Sequence, residues 1–599
     1  MIRPRPALSA FLLGLAALGW SVSVTGVLAQ SGPLEKARAQ RAEVVPHAGG
    51  DFDSTLAQRE EGGGAAPEPA VDDTRFGVDL AAIRILPHQN TTDPGAAAGP
   101  DPIEITEGVQ APADLAAILE PFLGKPLSMA LLADLAKTVI EAWRSEDYPI
   151  VDVYFPEQDI TAGRVQVVVR EALLGEVRIN DVVHSDPAYL ERHIRLAPGD
   201  RIDRRILESD LDWLNRNPIR QVNLIYDKGT ADGTADIVLD TTEEDPFTVY
   251  AGLANTGVPL TGEHEWSAGF NWLNPLGGEQ SAGYQFGANL DFETLESHTA
   301  MYRAFLPWRH ELRFLGAAVF SDVPADPADP AAVGIGGENL QATIDYVAPL
   351  PRLRSFPGLR HEFKAGLDWK STNTDLIFGG FNAIASSATI FQFRTAYEAA
   401  WKDPLGYQFV SLGSIWSPGN VLNHNDDPSF GALREGATAD YWYGYAEIER
   451  GIKLPAEWNL VLRGRGHLTD DRLLSTEQLL AGGYLTVRGF DENFTRGDSG
   501  AILNVELVSP PFSMLGRFNP KCRDEWNALL FYDGAALDNS DPLLGELSPG
   551  LQSTGLGFTC RIGETAYLRA AYGWVLQTSG VDETGMADGR MHFGVTVNY

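Results

Sequence analysis

From Asp245 to Tyr599 the chain alternates apolar and polar residues in short runs, broken by Gly, Asn, Asp and Pro. Ala501–Val508 (AILNVELV), Tyr567–Val575 (YLRAAYGWV) and Met591–Tyr599 (MHFGVTVNY) show it most clearly. In the last run Met591, Phe593, Val595, Val597 and Tyr599 share one face, and His592, Gly594, Thr596 and Asn598 share the other. Leu568, Ala570, Tyr572 and Trp574 likewise lie together. A period of two predicts strands, and aromatics near strand ends suit a barrel with lipid outside and a polar lumen. A soluble β-sandwich or propeller would produce the same alternation.

The first half has a different texture. Leu115–Phe122 and Met129–Trp143 carry helical spacing, the second with Leu131, Leu132, Leu135, Val139, Ile140 and Trp143 in one apolar stripe. Phe76–Leu86, Val151–Tyr154 and Val165–Val169 read as strands, with a linker-like insertion over Asn90–Pro102. A second unit follows: strand Leu174–Ile179, helices Pro187–His193 and Arg204–Asn215, strands Gln221–Tyr226 and Ala235–Leu239. The recurrence predicts two small α+β modules in tandem, residues 75–171 and 172–245, ahead of a β domain over 246–599.

Composition narrows the class. Lys and Arg number 46 against 81 Asp and Glu, a net charge of −35, which argues against nucleic acid as a partner. Arg3 and Arg5 precede an apolar core, Ala7–Leu18, and Val27 and Ala29 stand at −3 and −1 of a cleavage site. Residues 1–29 are therefore read as a secretory signal peptide. No later apolar run reaches the roughly 18 residues that a membrane-spanning helix needs. The export signal makes the protein periplasmic, secreted, or embedded in the outer membrane as a barrel, whose signal is alternation rather than a continuous apolar run. Between signal and modules, residues 30–74 hold a short charged helix candidate, Pro33–Glu43, and a Gly/Pro-rich linker.

One motif carries a specific resemblance. Gly482-Gly483-Tyr484-Leu485-Thr486-Val487-Arg488-Gly489-Phe490 resembles the V-R-G-[FY] hallmark of outer-membrane barrels that insert or export proteins. The resemblance implies that Val487, Arg488, Gly489 and Phe490 form the tip of a long extracellular loop folded back into the lumen. There the arginine meets an acid on a strand of F-x-D-x-G pattern. Phe531-Tyr532-Asp533-Gly534-Ala535 supplies the Phe and the Asp, but its Gly falls one position early. Alternation makes Asp533 face away from Leu530 and Tyr532, so it points inward if those two meet lipid. Glu506, inward on the AILNVELV strand, is a second acidic partner. A guanidinium in a lumen is best held by bidentate carboxylate contact; the alternative is a solvated turn arginine.

The first half is similar to the polypeptide-transport-associated (POTRA) modules of two-partner secretion transporters, the TpsB class or haemolysin secretion/activation family. Gly124-Lys125-Pro126-Leu127, Pro156-Glu157-Gln158-Asp159-Ile160 and Gly163-Arg164-Val165 resemble the first module, with Asp147-Tyr148 where that family has Gly-Tyr. Asn215-Arg216-Asn217-Pro218, Asp232-Gly233 and Ala235-Asp236-Ile237 resemble the second. Asn255-Thr256-Gly257, Gly262 and Asn274-Pro275-Leu276-Gly277 fit the barrel entry. The resemblance implies a 16-stranded transmembrane barrel, a plug helix for which Pro33–Glu43 is the candidate, and a secreted client protein as partner. Residues 246–599 number 599 − 245 = 354, about 22 per strand with its connection. Outer-membrane lipid and the barrel-assembly machinery are further expected partners, the latter reading Phe593, Val595, Val597 and Tyr599.

The expected function is ATP-independent passage of an unfolded exported protein, captured by the POTRA modules. The alternative is an insertase for outer-membrane barrels; a passive porin and a surface adhesin fit less of the chain. Cys522 and Cys560 stand at the same end of neighbouring antiparallel strands and are a candidate disulfide, the alternative being two buried thiols. No cofactor, metal or enzyme active site is expected. Gly497-Asp498-Ser499-Gly500 spells a serine-protease motif without a matching histidine segment and is read as a turn. His424 with Asp426 and Asp427, like Asp322, Asp326 and Asp329, is read as a solvated turn rather than a calcium site.

Overall fold

The computed structural model describes residues 74–88 and 101–599, except 260, 276, 325–332, 379–380, 519–522 and 584–585. The signal peptide, the plug candidate Pro33–Glu43 and Cys522 lie outside the described residues. The chain divides at Glu244/Asp245 into two compact units.

The N-terminal unit holds both α+β modules. The run expected as a single strand from Phe76 to Leu86 is two strands, β1 (Arg75–Asp79) and β2 (Ala82–Pro87). They join different sheets: β1 pairs with β4 (Pro126–Ser128), whereas β2 lies between β3 (Ile103–Ile105) and β6 (Arg164–Glu171). The break falls at Leu80, which is fully buried and exchanges main-chain bonds with Gly124 and Lys125. One apolar pattern thus spans a change of partner. Strand β3 was not expected; three residues carry no readable period.

Helix α1 (Leu115–Leu119) and helix α2 (Met129–Ser145) cover the sheet β3-β2-β6-β5, where β5 is Val151–Tyr154. Ser128 caps α2 by accepting a bond from the Leu131 N–H. Leu135, Val139 and Trp143 are fully buried, while Leu131, Leu132 and Ile140 are half-buried, so the core stripe is narrower than the spacing suggested. Trp143 Nε1 donates to Glu171 at 2.8 Å.

The second module has β7 (Leu173–Asn180), α3 (Pro187–Arg192), α4 (Arg204–Leu214), β8 (Arg220–Lys228) and β9 (Thr234–Glu243), in sheet order β7-β9-β8. Asp203 caps α4. The modules meet through polar contacts. Arg204 and Arg205 reach Asp147 at 2.9 and 3.2 Å, Arg170 reaches Asp232 at 2.7 Å, and Arg201 lies over the Tyr148 ring. Asp147 has φ = 73°, a left-handed conformation that favours glycine.

The C-terminal unit is a closed antiparallel barrel of 16 strands. Its first strands are β10 (Phe247–Ala254), β11 (Glu265–Leu273), β12 (Ser281–Asn289), β13 (Leu295–Phe305), β14 (Glu311–Val323) and β15 (Val333–Pro349). Then come β16 (Arg360–Phe378), β17 (Phe381–Asp403), β18 (Gly406–Pro418), β19 (Asp440–Lys453) and β20 (Asn459–Leu468). After a hairpin of β21 (Leu479–Ala481) and β22 (Thr495–Gly497), the wall resumes with β23 (Ser499–Val508), β24 (Asp524–Asp538), β25 (Gly550–Ile562), β26 (Ala566–Ser579) and β27 (Gly589–Asn598). Strand β10 pairs with β27, and Val249 and Tyr599 exchange main-chain hydrogen bonds, so the wall has no free edge in lipid.

Side-chain facing follows the period of two. On β24 Leu530 and Tyr532 are exposed outside, whereas Leu529, Phe531 and Asp533 are buried inside. On β27 Met591, Val595, Val597 and Tyr599 are exposed, Phe593 is half-buried, and His592 and Gly594 are buried. An exterior of Leu, Phe and Trp around an interior of charged and amide groups is what a bilayer outside and water inside select. Among the described residues no helix is long and apolar enough to cross a membrane. The connection from β18 to β19 carries α5 (Asp427–Leu433); Asp426 caps it at Ser429 N and Asp427 accepts from Ala439 N, both at 2.9 Å. These two acids read as solvated turn residues are thus occupied within the fold.

Candidate functional site: the loop folded into the lumen

Thirty residues, 469–498, connect β20 to β23 and run inside the barrel rather than away from it. The β21–β22 hairpin stiffens this loop and presents Val487–Phe490 at its tip. Val487 and Phe490 bury against Ile502, Ala535, Leu537 and Leu551 of the wall. Ala535 occupies the position where the F-x-D-x-G pattern has glycine, and its methyl joins this apolar cluster.

Arg488 is 2% exposed and meets two carboxylates. Its Nε donates to Asp533 Oδ2 at 2.8 Å and its Nη2 to Asp533 Oδ1 at 2.6 Å, a bidentate pair. The Arg488 backbone N–H also donates to Asp533, at 3.1 Å. Nη1 donates to Glu506 Oε1 at 2.6 Å. The guanidinium lies over the Phe531 ring, 3.6 Å from its centroid. All three guanidinium nitrogens donate to the wall from one fork-shaped cation, which an ammonium cannot reproduce.

Register explains why these groups converge. Asn504 of β23 stands opposite Asp533 of β24, and Glu506 stands opposite Phe531. Asn504 Nδ2 donates to Asp533 at 2.8 Å and also reaches the Thr486 carbonyl. On the far side Arg463 of β20 donates to Glu506 at 2.6 Å, so Glu506 lies between two guanidiniums. His592 of β27 lies 2.9 Å from the Arg488 carbonyl, its ring Nε2–H donating.

The tip fits because the wall opposite it lacks side chains. A Cβ at Gly573 on β26 would stand 2.5 Å from the Arg488 carbonyl carbon, and a Cβ at Gly489 would stand 2.7 Å from Ser553 Cβ on β25. Both distances lie below any tolerated Cβ contact, so backbone packs on backbone.

The structure brings together Val487, Arg488, Gly489, Phe490, Asp533 and Glu506. Cys560 is buried on β25 opposite Trp526, and its candidate partner Cys522 lies outside the described residues. Phe531 was read only as the Phe of the F-x-D-x-G pattern, and Asn504, Arg463 and His592 were not tied to Arg488 from sequence; period two places Asn504 inward, but nothing local marks it as a partner of Arg488. Asp498, read as part of a turn, is fully buried and accepts from Arg434 at 2.5 Å, Gln478 at 3.0 Å and the Leu473 N–H at 3.1 Å. It is a turn residue by backbone and the anionic centre of the loop's base by side chain.

Comparison with known proteins now bears on this geometry. Residues 399–522 match the family described as haemolysin secretion/activation protein ShlB/FhaC/HecB, a span that includes the loop and Glu506. Residues 105–172 match the ShlB-type POTRA domain. The heme/hemopexin transporter protein HuxB of Haemophilus influenzae (strain 86-028NP) is 23% identical over 467 residues, 74% of this chain and 77% of its own length. The solved structure of CdiB from Escherichia coli aligns over 94% of this chain and 98% of its own at a TM-score of 0.68 and 17% identity. CdiB from Acinetobacter baumannii aligns over 95% and 98% at 0.60 and 14%.

Fold and matches define an outer-membrane β-barrel transporter with periplasmic POTRA domains. Such barrels either insert proteins into the membrane or pass them across it. The sequence matches are to the second kind: the chain is similar to the haemolysin secretion/activation family, the TpsB transporters of two-partner secretion.

Proposed function

We propose that this protein exports a single secreted partner polypeptide through its barrel lumen, and that the loop carrying Arg488 closes the lumen until the partner arrives. TpsB transporters translocate partner proteins across the outer membrane and work with a secreted TpsA-like client. The carrying observation for closure is the bidentate Arg488–Asp533 pair inside a closed 16-stranded wall. Export rather than barrel insertion is the reading the family match supports, insertases being the more distant resemblance.

Capture is assigned to open sheet edges of the POTRA modules. Strand β8 lies at the end of the order β7-β9-β8 and pairs with a strand on one side only; beyond Val222, whose N–H and C=O are taken by the Asn215 side chain, alternate residues offer outward main-chain groups to an extended client. Main-chain pairing needs no nucleotide and no particular client side chain. Client folding outside the cell then prevents return. Residues 33–43 are the proposed plug, and the exposed face of β27 ending in Tyr599 is the proposed signal for barrel assembly into lipid.

The test deletes the gene, compares proteins released into the medium, and restores the wild type or R488A. One large protein lost on deletion and not recovered with R488A, while the barrel still reaches the membrane, is the expected result. An unchanged set of released proteins on deletion would overturn export, and an R488A channel as closed as the wild type would overturn closure by this loop.

A further inference from the structure

The loop touches the wall at a second place that shares no strand with the first. Glu477 stands eleven residues ahead of Arg488, before the β21–β22 hairpin, and is 1% exposed. Lys370 of β16 donates to its Oε1 at 2.7 Å, while Tyr443 of β19 and Gln392 of β17 donate to its Oε2 at 3.0 and 3.2 Å. Leu473 and Leu474, just upstream, are buried with Phe430 of α5 and with Tyr441 and Tyr443. The Arg488 contacts lie on β23 and β24 instead. The loop therefore offers a cation to one part of the wall and an anion to another.

We propose that Glu477 is a positioning residue of the closed pore: its pairing with Lys370 is a second anchor that holds the base of the loop while Arg488 holds its tip. This rests on the reading of the loop as the closure. The wall around Lys370 is built to release it. Without Glu477, Lys370 keeps Asp368 at 4.0 Å, and Arg394 keeps Asp368 at 3.2 Å and Asp345 at 3.6 Å, two cations facing two anions. Gln392 still joins Asp368 to Tyr441. Withdrawal of the loop acid thus leaves a charge-balanced wall, which a merely structural core pair would not require.

The experiment reconstitutes the full-length protein in planar lipid bilayers and records open probability for the wild type, R488A, E477Q, K370M and the exchange pair E477K/K370E. Heat-modifiable gel migration reports barrel folding. E477Q and K370M should each open roughly tenfold more often than the wild type, as loss of one charged hydrogen bond implies. The exchanged pair should return towards wild-type closure. If folded E477Q stays as closed as the wild type while R488A opens, the second anchor is wrong and the closure reading stands. If neither opens, both fall. An exchanged pair that opens like the single variants rejects the charge pairing. Loss of barrel migration in both E477Q and the exchanged pair makes Glu477 a folding element and also overturns the proposal.

Discussion

The guanidinium carbon of Arg488 lies 3.6 Å from the centroid of the Phe531 ring, and Phe531 stands two residues before Asp533 on the same strand. Both residues face the lumen, so one strand supplies the charge that pairs with the arginine and the ring that carries its flat face. Truncating Arg488 to alanine strands Asp533 in a buried site, a cost of about 3–5 kcal/mol to the docked loop. F531L removes the cation–π contact, about 1 kcal/mol, and leaves both carboxylates in place while repacking the small cluster with Leu529 and Ala571. Channel recordings should rank opening as R488A above F531L above wild type; equal opening of F531L and R488A would show that the carboxylates contribute nothing.

R488K keeps the charge and loses the fork. It should restore part of the closure, recovering Asp533 or Glu506 but not both. Full closure by R488K, measured in the same recordings, would reduce the site to simple charge attraction.

G573V should expel the tip without touching any charged group. Its Cβ alone would stand 2.5 Å from the Arg488 carbonyl, so the side chain and the docked loop cannot coexist. The expected phenotype is an open, folded barrel, assayed by conductance and heat-modifiable migration. A closed G573V channel would mean that the docked tip is not what blocks the lumen.

D147G separates stability from rigidity between the POTRA modules. Asp147 bears a left-handed φ that costs a non-glycine residue about 1 kcal/mol. Its two partly exposed arginine pairs return about 0.2–1 kcal/mol each. The terms nearly cancel, so D147G should leave the unfolding midpoint almost unchanged. Distances between spin labels on the two modules should broaden, and an unbroadened distribution would assign the interface to contacts other than the Asp147 side chain, such as Arg170, Arg201 and the packing of Ile150 on the second core.

Glu243 provides a pH-dependent clasp. Burial raises its carboxyl pKa, but the Ser185 side chain and the backbone N–H groups of His184, Val183 and Ser185 outweigh burial and hold it below 4.5. A lowered folded-state pKa means that the stabilisation is full above pH 4.5 and lost as pH falls through the folded value. Hydrogen-exchange protection of residues 183–185 should therefore fall below pH 4.5 in the wild type. In E243Q it should be low throughout.

Legibility followed locality. Asp533 and Glu506 could be placed inward because a period of two fixes facing within one strand. Likewise α2 and α4 announce themselves by caps and apolar spacing. The split between β1 and β2 was hidden because an apolar run does not record which neighbour it pairs with. Lys370 and Glu477 were invisible for a related reason: they stand 107 residues apart, and neither belongs to a motif. Asp498 shows that a residue can be a turn by backbone preference and a charge centre by side chain. Asp147 was readable as a departure from the family's glycine, but the arginines that use it are set by the packing of the next module.

A loop held by opposite charges at base and tip changes what a passing chain must do. A client segment bearing a carboxylate can take over Arg488, and one bearing an ammonium can take over the carboxylates that Arg488 vacates. If the loop closes the lumen as proposed, opening would proceed by exchange of partners, one contact at a time, instead of simultaneous rupture with naked ions left behind. Segments of mixed sign are accordingly better keys than uncharged ones, whatever fold they adopt outside.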